Sequence, residues 1–442
     1  MDPFEKLALA AKRADAVLET FMKAPAAGFA LTDRFFSPSD NILALGDNLG
    51  FMRYLSEEKS LSGKIDFVYI DPPFFTGTGQ MARVRLETGD ANPKLLSRIA
   101  YSDSSSRGLE AYLTDLAVRL ELIRDLMADS GVVCVHLDWH AVHYVKLLMD
   151  GIFGSANFVN ELIWSYKSGG FGSRGFAKKH DTILVYAKTK KYYFSPQKEK
   201  SYNRGFKPYR FKGVKEYEDE TGWYTLVNRR DVFTIDMVPR SSPERTGYAT
   251  QKPLKLLQLL MESFCPAEGI AADFYCGSGT LAEAAALSGR SFLCCDAAPA
   301  ALVTSAARTA KCGVPFEMMV QKGFEGFGKP DIKIEMLPRQ ISLETEDPGA
   351  DCSLTLCERP VSELGLKGKA AASLEKAVKA NPIALAEFAA SGSLEDGVFT
   401  AQKVFLPPKK GKRLDIKTAP GCGAVKVWDK FGGSALKCLG DT

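Results

Sequence analysis

The sequence predicts a doubly wound α/β fold, a mostly parallel sheet with helices on both faces. Three observations lead there. Strand-like and helix-like stretches alternate from about residue 41 to residue 296, with one long interruption. The strand-like stretches, "KIDFVYI", "VVCVHL" and "SFLCC", are nearly continuous apolar runs, as expected of strands covered on both sides. Two of them run directly into loops of unusual chemistry, "DPPF" at 71–74 and "DFYCGSGT" at 273–280, and the carboxyl ends of such strands are where open α/β sheets bind ligands.

Residues 4–23 carry apolar side chains at helical spacing and form a leading helix. "NILALGDNLGFMRYL" supplies a short strand, a Gly-Asp-Asn turn and a helix, and "KIDFVYIDPPF" the strand after it. Residues 75–110 are polar, rich in Gly, Ser and Thr, and without clear period, which predicts a functional or disordered loop. "YLTDLAVRLELIRDLMADSG" is a helix closed by glycine, "VVCVHLD" a buried strand and "HAVHYVKLLMDGIFG" a second helix. The rhythm resumes with the helix "PLKLLQLLMESFC", the strand and glycine loop "GIAADFYCGSGT", the helix "LAEAAALSG" and the strand "RSFLCCD". Past about Pro330 the pattern weakens. "AAASLEKAVKANPIALAEFAASG" predicts a helix, "FLPPKKGKRL" a linker, and "AVKVWDKFGGSALKCL" two strands about a glycine turn, so a small α+β extension follows the main fold. The resulting division is an N-terminal helical segment (1–40), two halves of the main domain (41–188 and 246–330) around an insert (189–245), and an accessory region (331–442).

The composition, 45% hydrophobic and 25% charged, is that of an ordinary soluble protein, and no apolar run is long enough to span a bilayer. The charged opening "MDPFEKLALAAKRAD" lacks a signal-peptide apolar segment, so the expected location is the cytoplasm. Ten scattered cysteines without a C-x-x-C pair predict buried free thiols. The net charge of +4 hides an asymmetry. Phe171 to Lys215 holds 13 Lys/Arg against 2 acids with ten interspersed Tyr or Phe, leaving the remainder acidic. A basic, aromatic-laced segment suits a surface that tracks a nucleic-acid backbone; an ordinary solvated face is the competing explanation.

In residues 272–296 the chemistry is that of a nucleotide crevice. A strand ends at Asp273 and Phe274, Gly277 and Gly279 permit close backbone approach, a helix N-terminus follows, and Asp296 ends the next strand where it can accept ribose hydroxyls. G-S-G-T-L-A at 277–282 also leaves a dinucleotide-binding oxidoreductase open. In "DPPF", Pro72 and Pro73 fix the backbone and remove two N–H donors beside the Asp71 carboxylate. A carboxylate and a rigid carbonyl can each accept one hydrogen of an exocyclic amino group and free its lone pair, while Phe74 offers a stacking face. A proline-stiffened strand end is the plainer alternative.

Six ordered stretches carry a specific resemblance: "LGDNLGFMRYL", "DPPF", "GVVCVHLDWHAVHYVK", "KKHDTILVYAK", "RTGYATQKPLKLL" and "DFYCGSGT". Over roughly residues 40–310 the chain resembles the beta class of DNA amino-methyltransferases, which includes modification subunits of type III restriction systems. The resemblance implies a Rossmann-like methyltransferase sheet, S-adenosyl-L-methionine as cofactor, and methylation of adenine N6. N4-cytosine methylation and a catalytically inactive DNA-binding subunit are the alternatives. It makes Asp71, Pro72, Pro73 and Phe74 the target-base site. Asp273, Phe274, Gly277, Gly279 and Thr280 would cradle the methionine part of the cofactor, with Asp296 at its ribose, Lys252 near its carboxylate and Asp47 near its adenine. The implied partner is double-stranded DNA with its target base flipped, covered by the loop after Phe75; a homodimer and a restriction subunit accompany some relatives. The basic insert becomes a target-recognition region. No Pro-Cys dipeptide of a C5-cytosine enzyme occurs. His136, His140 and His143 with Asp138 suggest a metal site at first sight, but they divide between a strand and a helix, and no metal is expected.

Overall fold

The computed structural model describes residues 2–73, 75, 80–86, 94–101, 108–167, 174–239, 241–248, 250–324, 341–345, 352–356, 386–407, 414–416, 422–430 and 434–438. Phe74 lies outside the described residues. Helix α1 (Pro3–Lys23) leads to β1 (Phe29–Phe35), β2 (Ile42–Leu45), α2 (Asn48–Glu57) and β3 (Ile65–Ile70). There follow β4 (Gln80–Leu86), β5 (Lys94–Tyr101), α3 (Gly108–Leu126), β6 (Met127–Leu137), α4 (Val142–Met149), β7 (Phe158–Ser165) and β8 (His180–Ala187). The insert holds β9 (Lys198–Tyr202), β10 (Glu216–Asp219) and β11 (Gly222–Asn228), and β12 (Val232–Thr234) closes it. The second half comprises α5 (Leu254–Phe264), β13 (Ile270–Asp273), α6 (Thr280–Leu287), β14 (Ser291–Asp296), α7 (Pro299–Lys311) and β15 (Phe316–Gln321). Last come β16 (Ile341–Thr345), β17 (Cys352–Leu356), β18 (Ala386–Glu395), β19 (Val398–Phe405), β20 (Leu414–Ile416), β21 (Ala424–Asp429) and β22 (Ser434–Cys438).

Fourteen strands join one sheet in the order β12-β7-β8-β6-β3-β13-β14-β2-β15-β1-β19-β18-β21-β22. Its centre, β6 through β15, is parallel throughout. Alternation along each strand divides the core by face. Phe67, Tyr69, Ala271 and Cys294 face α5, α6 and α7 through Leu256, Leu260, Leu281 and Leu302. Val68, Ile70, Ala272 and Cys295 face α2, α3 and α4 through Phe51, Leu55, Leu116 and Val145. Both faces are therefore apolar and covered, which is why these strands read as unbroken hydrophobic runs. Cys134, Cys276, Cys294 and Cys295 are buried free thiols.

Several expectations change. The stretch 75–110 is not a structureless loop where it is described: β4 and β5 form an antiparallel pair, and α3 begins at Gly108. The alternation Ala82, Arg83, Val84, Arg85, Leu86 is a strand signal that the surrounding Gly, Ser and Thr obscure. The remainder of the proposed lid lies outside the described residues. Helix α3 ends at Leu126 rather than at the glycine, because Met127 already pairs with Ile65. At the C-terminus, the part of the expected helix from Ala386 onward is strand β18. Ala and Glu give it helical propensity, but pairing with β19 on one side and β21 on the other overrides that preference. The hairpin expected in "AVKVWDKFGGSALKCL" is β21 and β22, paired antiparallel.

Tertiary contacts tie these late strands to the rest. Phe35 of β1 stacks on Phe316 of β15 at 4.2 Å between centroids, and Phe388 of β18 on Trp428 of β21 at 4.4 Å. Lys426 forms an ion pair with the buried Asp33. The insert leaves after β8, builds the small antiparallel sheet β10-β11-β9, and returns through β12 alongside β7.

Candidate active site

The site is made by two adjacent parallel strands. Ala272 of β13 pairs with Val68 of β3, so Asp273 lies level with Tyr69, and Asp71 stands about 7 Å further along. Both strands end at the same edge of the sheet, and the segments that follow them line one cavity of about 360 Å³. Asp71, Pro72 and Pro73 line it from β3. Asp273, Phe274, Gly277 and Thr280 line it from the β13 loop, Asp296 from β14, Asp47 from the start of α2, and Lys252 from the segment before α5. Residues separated by some two hundred positions thus converge.

Asp71 divides its two carboxylate oxygens. Oδ2 is ion-paired with the Lys252 ammonium, both side chains being mostly buried. Oδ1 is shielded from solvent and has no hydrogen-bond partner among the described residues. The ammonium of Lys252, expected beside a cofactor carboxylate, sits on the strand-end aspartate. Its backbone is held by the other loop, since Thr280 Oγ1 donates to the Lys252 carbonyl at 3.2 Å.

Asp273 is buried, its Oδ1 accepting the Tyr275 N–H at 2.9 Å. Burial pushes this carboxyl well above the ordinary range; the Tyr275 bond opposes the shift, while the nearby Asp71 and Asp296 add to it. The loop beyond it depends on glycine. Gly277 and Gly279 have φ of +51° and +74°, and a Cβ on Gly279 would lie 2.5 Å from Ser305 Oγ. Gly279 does not itself line the cavity; it allows the turn that starts α6. Asp296 holds the loop in place. Its Oδ2 accepts the Gly277 N–H and its Oδ1 the Ala298 N–H, both at 2.8 Å.

Several site residues were not singled out from the sequence. Arg308, buried on α7, donates to the Ser278 carbonyl, Ser278 Oγ and Thr280 Oγ1 while its Nε bonds Glu283, and so clamps the glycine loop. Asp47 caps α2 through Gly50, and Arg119 of α3 reaches its Oδ1 at 3.5 Å. Arg119 Nε also donates to Asn48 Oδ1, whose amide in turn donates to the Phe274 carbonyl, joining the α2 turn to the β13 loop. Tyr248 packs its ring against Gly277 and lines the cavity. Arg119 and Arg308 looked like ordinary helix cations; only the placement of their helices brings them to the loops.

The clustered histidines separate. His140 Nδ1 pairs with Asp138 Oδ2 at 2.5 Å, whereas the buried His136 bonds Tyr69 and Asp181. Of the basic segment, Tyr186 is buried in the sheet, while Phe206, Tyr209 and Phe211 are exposed among the exposed Lys207, Arg210 and Lys212.

A family model described as DNA methylase matches residues 65–306. The chain is 29% identical over 172 residues to the Mod subunit of the type III restriction-modification enzyme EcoP15I of Escherichia coli, covering 36% of this chain and 26% of that protein. It is 33% identical over 166 residues to the EcoPI Mod subunit of Escherichia phage P1, covering 34% and 25%. The chain thus matches about a quarter of the length of these relatives. Among solved structures, the cytosine-N4-specific PvuII DNA methyltransferase aligns with a TM-score of 0.42 at 12% identity, over 64% of this chain and 94% of that one.

Proposed function

The chain belongs to the DNA methylase family, whose model spans more than half of it, and from that premise we propose that it is an S-adenosyl-L-methionine-dependent DNA methyltransferase acting on adenine N6. The observation that carries this reading is the unpartnered Asp71 Oδ1, among the described residues, in a cavity shared with the glycine loop. A carboxylate oxygen shielded from water without a donor is costly, and it is complementary to the N–H of an amino group.

The residues present suit the cofactor. The cavity volume lies in the range of small-molecule sites, and Gly277 lines it without a side chain. In this reading Asp273, Phe274, Gly277 and Thr280 hold the methionine part, Asp296 the ribose and Asp47 the adenine side, with Gly279 shaping the turn. Bound there, S-adenosyl-L-methionine supplies an electrophilic methyl group. The protein's share is orientation and lone-pair preparation. Asp71 Oδ1 and the Pro72 carbonyl accept the two amino hydrogens, turning the nitrogen toward tetrahedral geometry. Lys252 neutralises the other oxygen of Asp71.

The exposed aromatic and basic side chains of residues 189–245 support a target-recognition role on duplex DNA, whose base must be flipped at a cost of roughly a few kcal/mol. Likeness to Mod subunits of type III restriction-modification enzymes favours a restriction subunit as partner. The test is incubation with S-adenosyl-L-methionine and unmethylated bacterial DNA, followed by nucleoside mass spectrometry. N6-methyladenine is expected, and its loss in Asp71→Ala. N4-methylcytosine would reassign the base, and a product that survives Asp71→Ala would remove Asp71 from the chemistry.

A further inference from the structure

Beneath Asp71 a row of polar side chains crosses three neighbouring strands. Tyr69 of β3, two residues before Asp71, lines the same cavity. Its hydroxyl lies 2.7 Å from Nδ1 of His136 on β6. The other ring nitrogen of His136, Nε2, lies 3.2 Å from Oδ2 of Asp181 on β8. Asp181 Oδ1 accepts the Tyr166 hydroxyl at 3.2 Å. Tyr69 and His136 are buried, and the His136 ring meets Trp164 edge-on at 5.4 Å. So much polarity inside an apolar sheet calls for a reason beyond packing.

The order of protons along this row follows from its far end. Burial works against the Asp181 charge, but the hydrogen bond from His136, the nearby Lys252 and the Tyr166 hydroxyl hold this carboxyl below its ordinary range, so it acts as an acceptor only. Nε2 of His136 faces that acceptor at 3.2 Å and carries a hydrogen, which leaves Nδ1 as the ring atom that can accept from Tyr69. Burial, with the charges of Asp71 and Asp273, pushes the Tyr69 phenol well up, so it keeps its proton and donates it to Nδ1. With its hydrogen committed sideways, the phenolic oxygen presents lone pairs to the cavity.

We propose that the Tyr69 hydroxyl oxygen shares with Asp71 Oδ1 one of the two hydrogens of the target base's exocyclic amino group, and that the buried His136–Asp181 pair is a positioning device that fixes its polarity. Together with Asp71 Oδ1 and the Pro72 carbonyl it makes an acceptor-only wall. Such a wall favours an amino group and rejects the carbonyl oxygen that guanine and thymine present at the corresponding position. Positive charge builds on the amino hydrogens as the nitrogen lone pair is committed to the methyl carbon, so each acceptor acts more strongly in the transition state than in the ground state. This inference rests on the amino-methyltransferase reading above.

The experiment compares wild type, Tyr69→Phe, Asp181→Asn and the double variant in single-turnover methylation of unmethylated bacterial DNA, with calorimetric affinity for S-adenosyl-L-methionine as the control for an intact fold. Tyr69→Phe should slow methylation by about 10- to 100-fold at unchanged cofactor affinity. Asp181→Asn should slow it less, and the double variant should be no slower than Tyr69→Phe, because polarity is irrelevant once the hydroxyl is gone. Nitrogen-15 spectra of the four histidines, with His136 assigned by His136→Gln, should show Nε2 protonated and Nδ1 bare. Tyr69→Phe at wild-type rate, additive effects in the double variant, or a protonated Nδ1 would each overturn the proposal. A wild-type protein that yields no methylated nucleoside would instead sink the reading on which it rests.

Discussion

At the scale of single residues, the site is governed by how few carboxylates can be charged at once. Asp71, Asp273 and Asp296 share one cavity with a single lysine on Asp71, and burial first, then the neighbouring carboxylates, makes Asp273 hold its proton well above the ordinary carboxylate range. A cationic sulfonium bound beside it would restore the charge. Cofactor binding should therefore release a proton at pH values between the carboxyl's liganded and free titration points. Calorimetry in buffers of differing ionisation enthalpy reads this directly, and Asp273→Asn should abolish it; proton uptake would contradict the argument. The sign for stability follows from the same shift. Asp273 supports the fold fully below the ordinary carboxylate range and loses that contribution as pH rises through its raised folded value, so Asp273→Asn should stabilise the cofactor-free protein at neutral pH. Arg308 is the opposite case, a buried cation tied to Glu283 and the glycine loop. Arg308→Met leaves Glu283 without its guanidinium and should cost about 3–5 kcal/mol in urea unfolding, part of which Glu283→Gln should recover.

At the scale of elements, the strand tips hold the rigid chemistry and the insert offers the adaptable surface. Its sheet β10-β11-β9 carries the stacked pair Tyr217 with Tyr224, and the segment between β9 and β10 the tilted pair Tyr209 with Phe211 within an exposed basic run. If that run follows a phosphate backbone, replacing Lys207, Arg210 and Lys212 by alanine should flatten the dependence of DNA affinity on salt by about 0.9 for each phosphate no longer neutralised. The chemical step at saturating DNA should not change. A variant with the wild-type slope would place the DNA elsewhere. This element was legible in composition, as a local excess of charge, but its fold was not. Strands as short as β10 and β12 carry too few residues for their periodicity to stand out.

At the scale of the whole molecule, the sheet does not stop where the family match stops. β1 pairs with β15 on one side and β19 on the other, so the late strands β18, β19 and β21 continue the sheet that holds the site. Phe35, Phe316, Phe388 and Trp428 form one aromatic cluster across β15, β1, β18 and β21. Trp428→Ala should accordingly cost about 3–5 kcal/mol and lower the single unfolding transition followed by calorimetry. A first transition confined to the C-terminal region, with cofactor binding intact above it, would show that the two parts fold separately.

Taken alone, the sequence determined the strands of the parallel centre, because burial on both faces leaves short unbroken apolar runs rich in β-branched and aromatic residues. It also determined the two loops of the site, because positive φ demands glycine and a donor-free strand end demands proline, and both requirements are local. Tertiary structure decided what depends on neighbours remote in the chain. It set Lys252 on Asp71, brought Arg119 and Arg308 to the loops, turned a helix-prone C-terminal stretch into β18, and aligned Tyr69, His136 and Asp181 across three strands. An ionic or polar partner is chosen by distance and burial, and neither is written in the local order of residues.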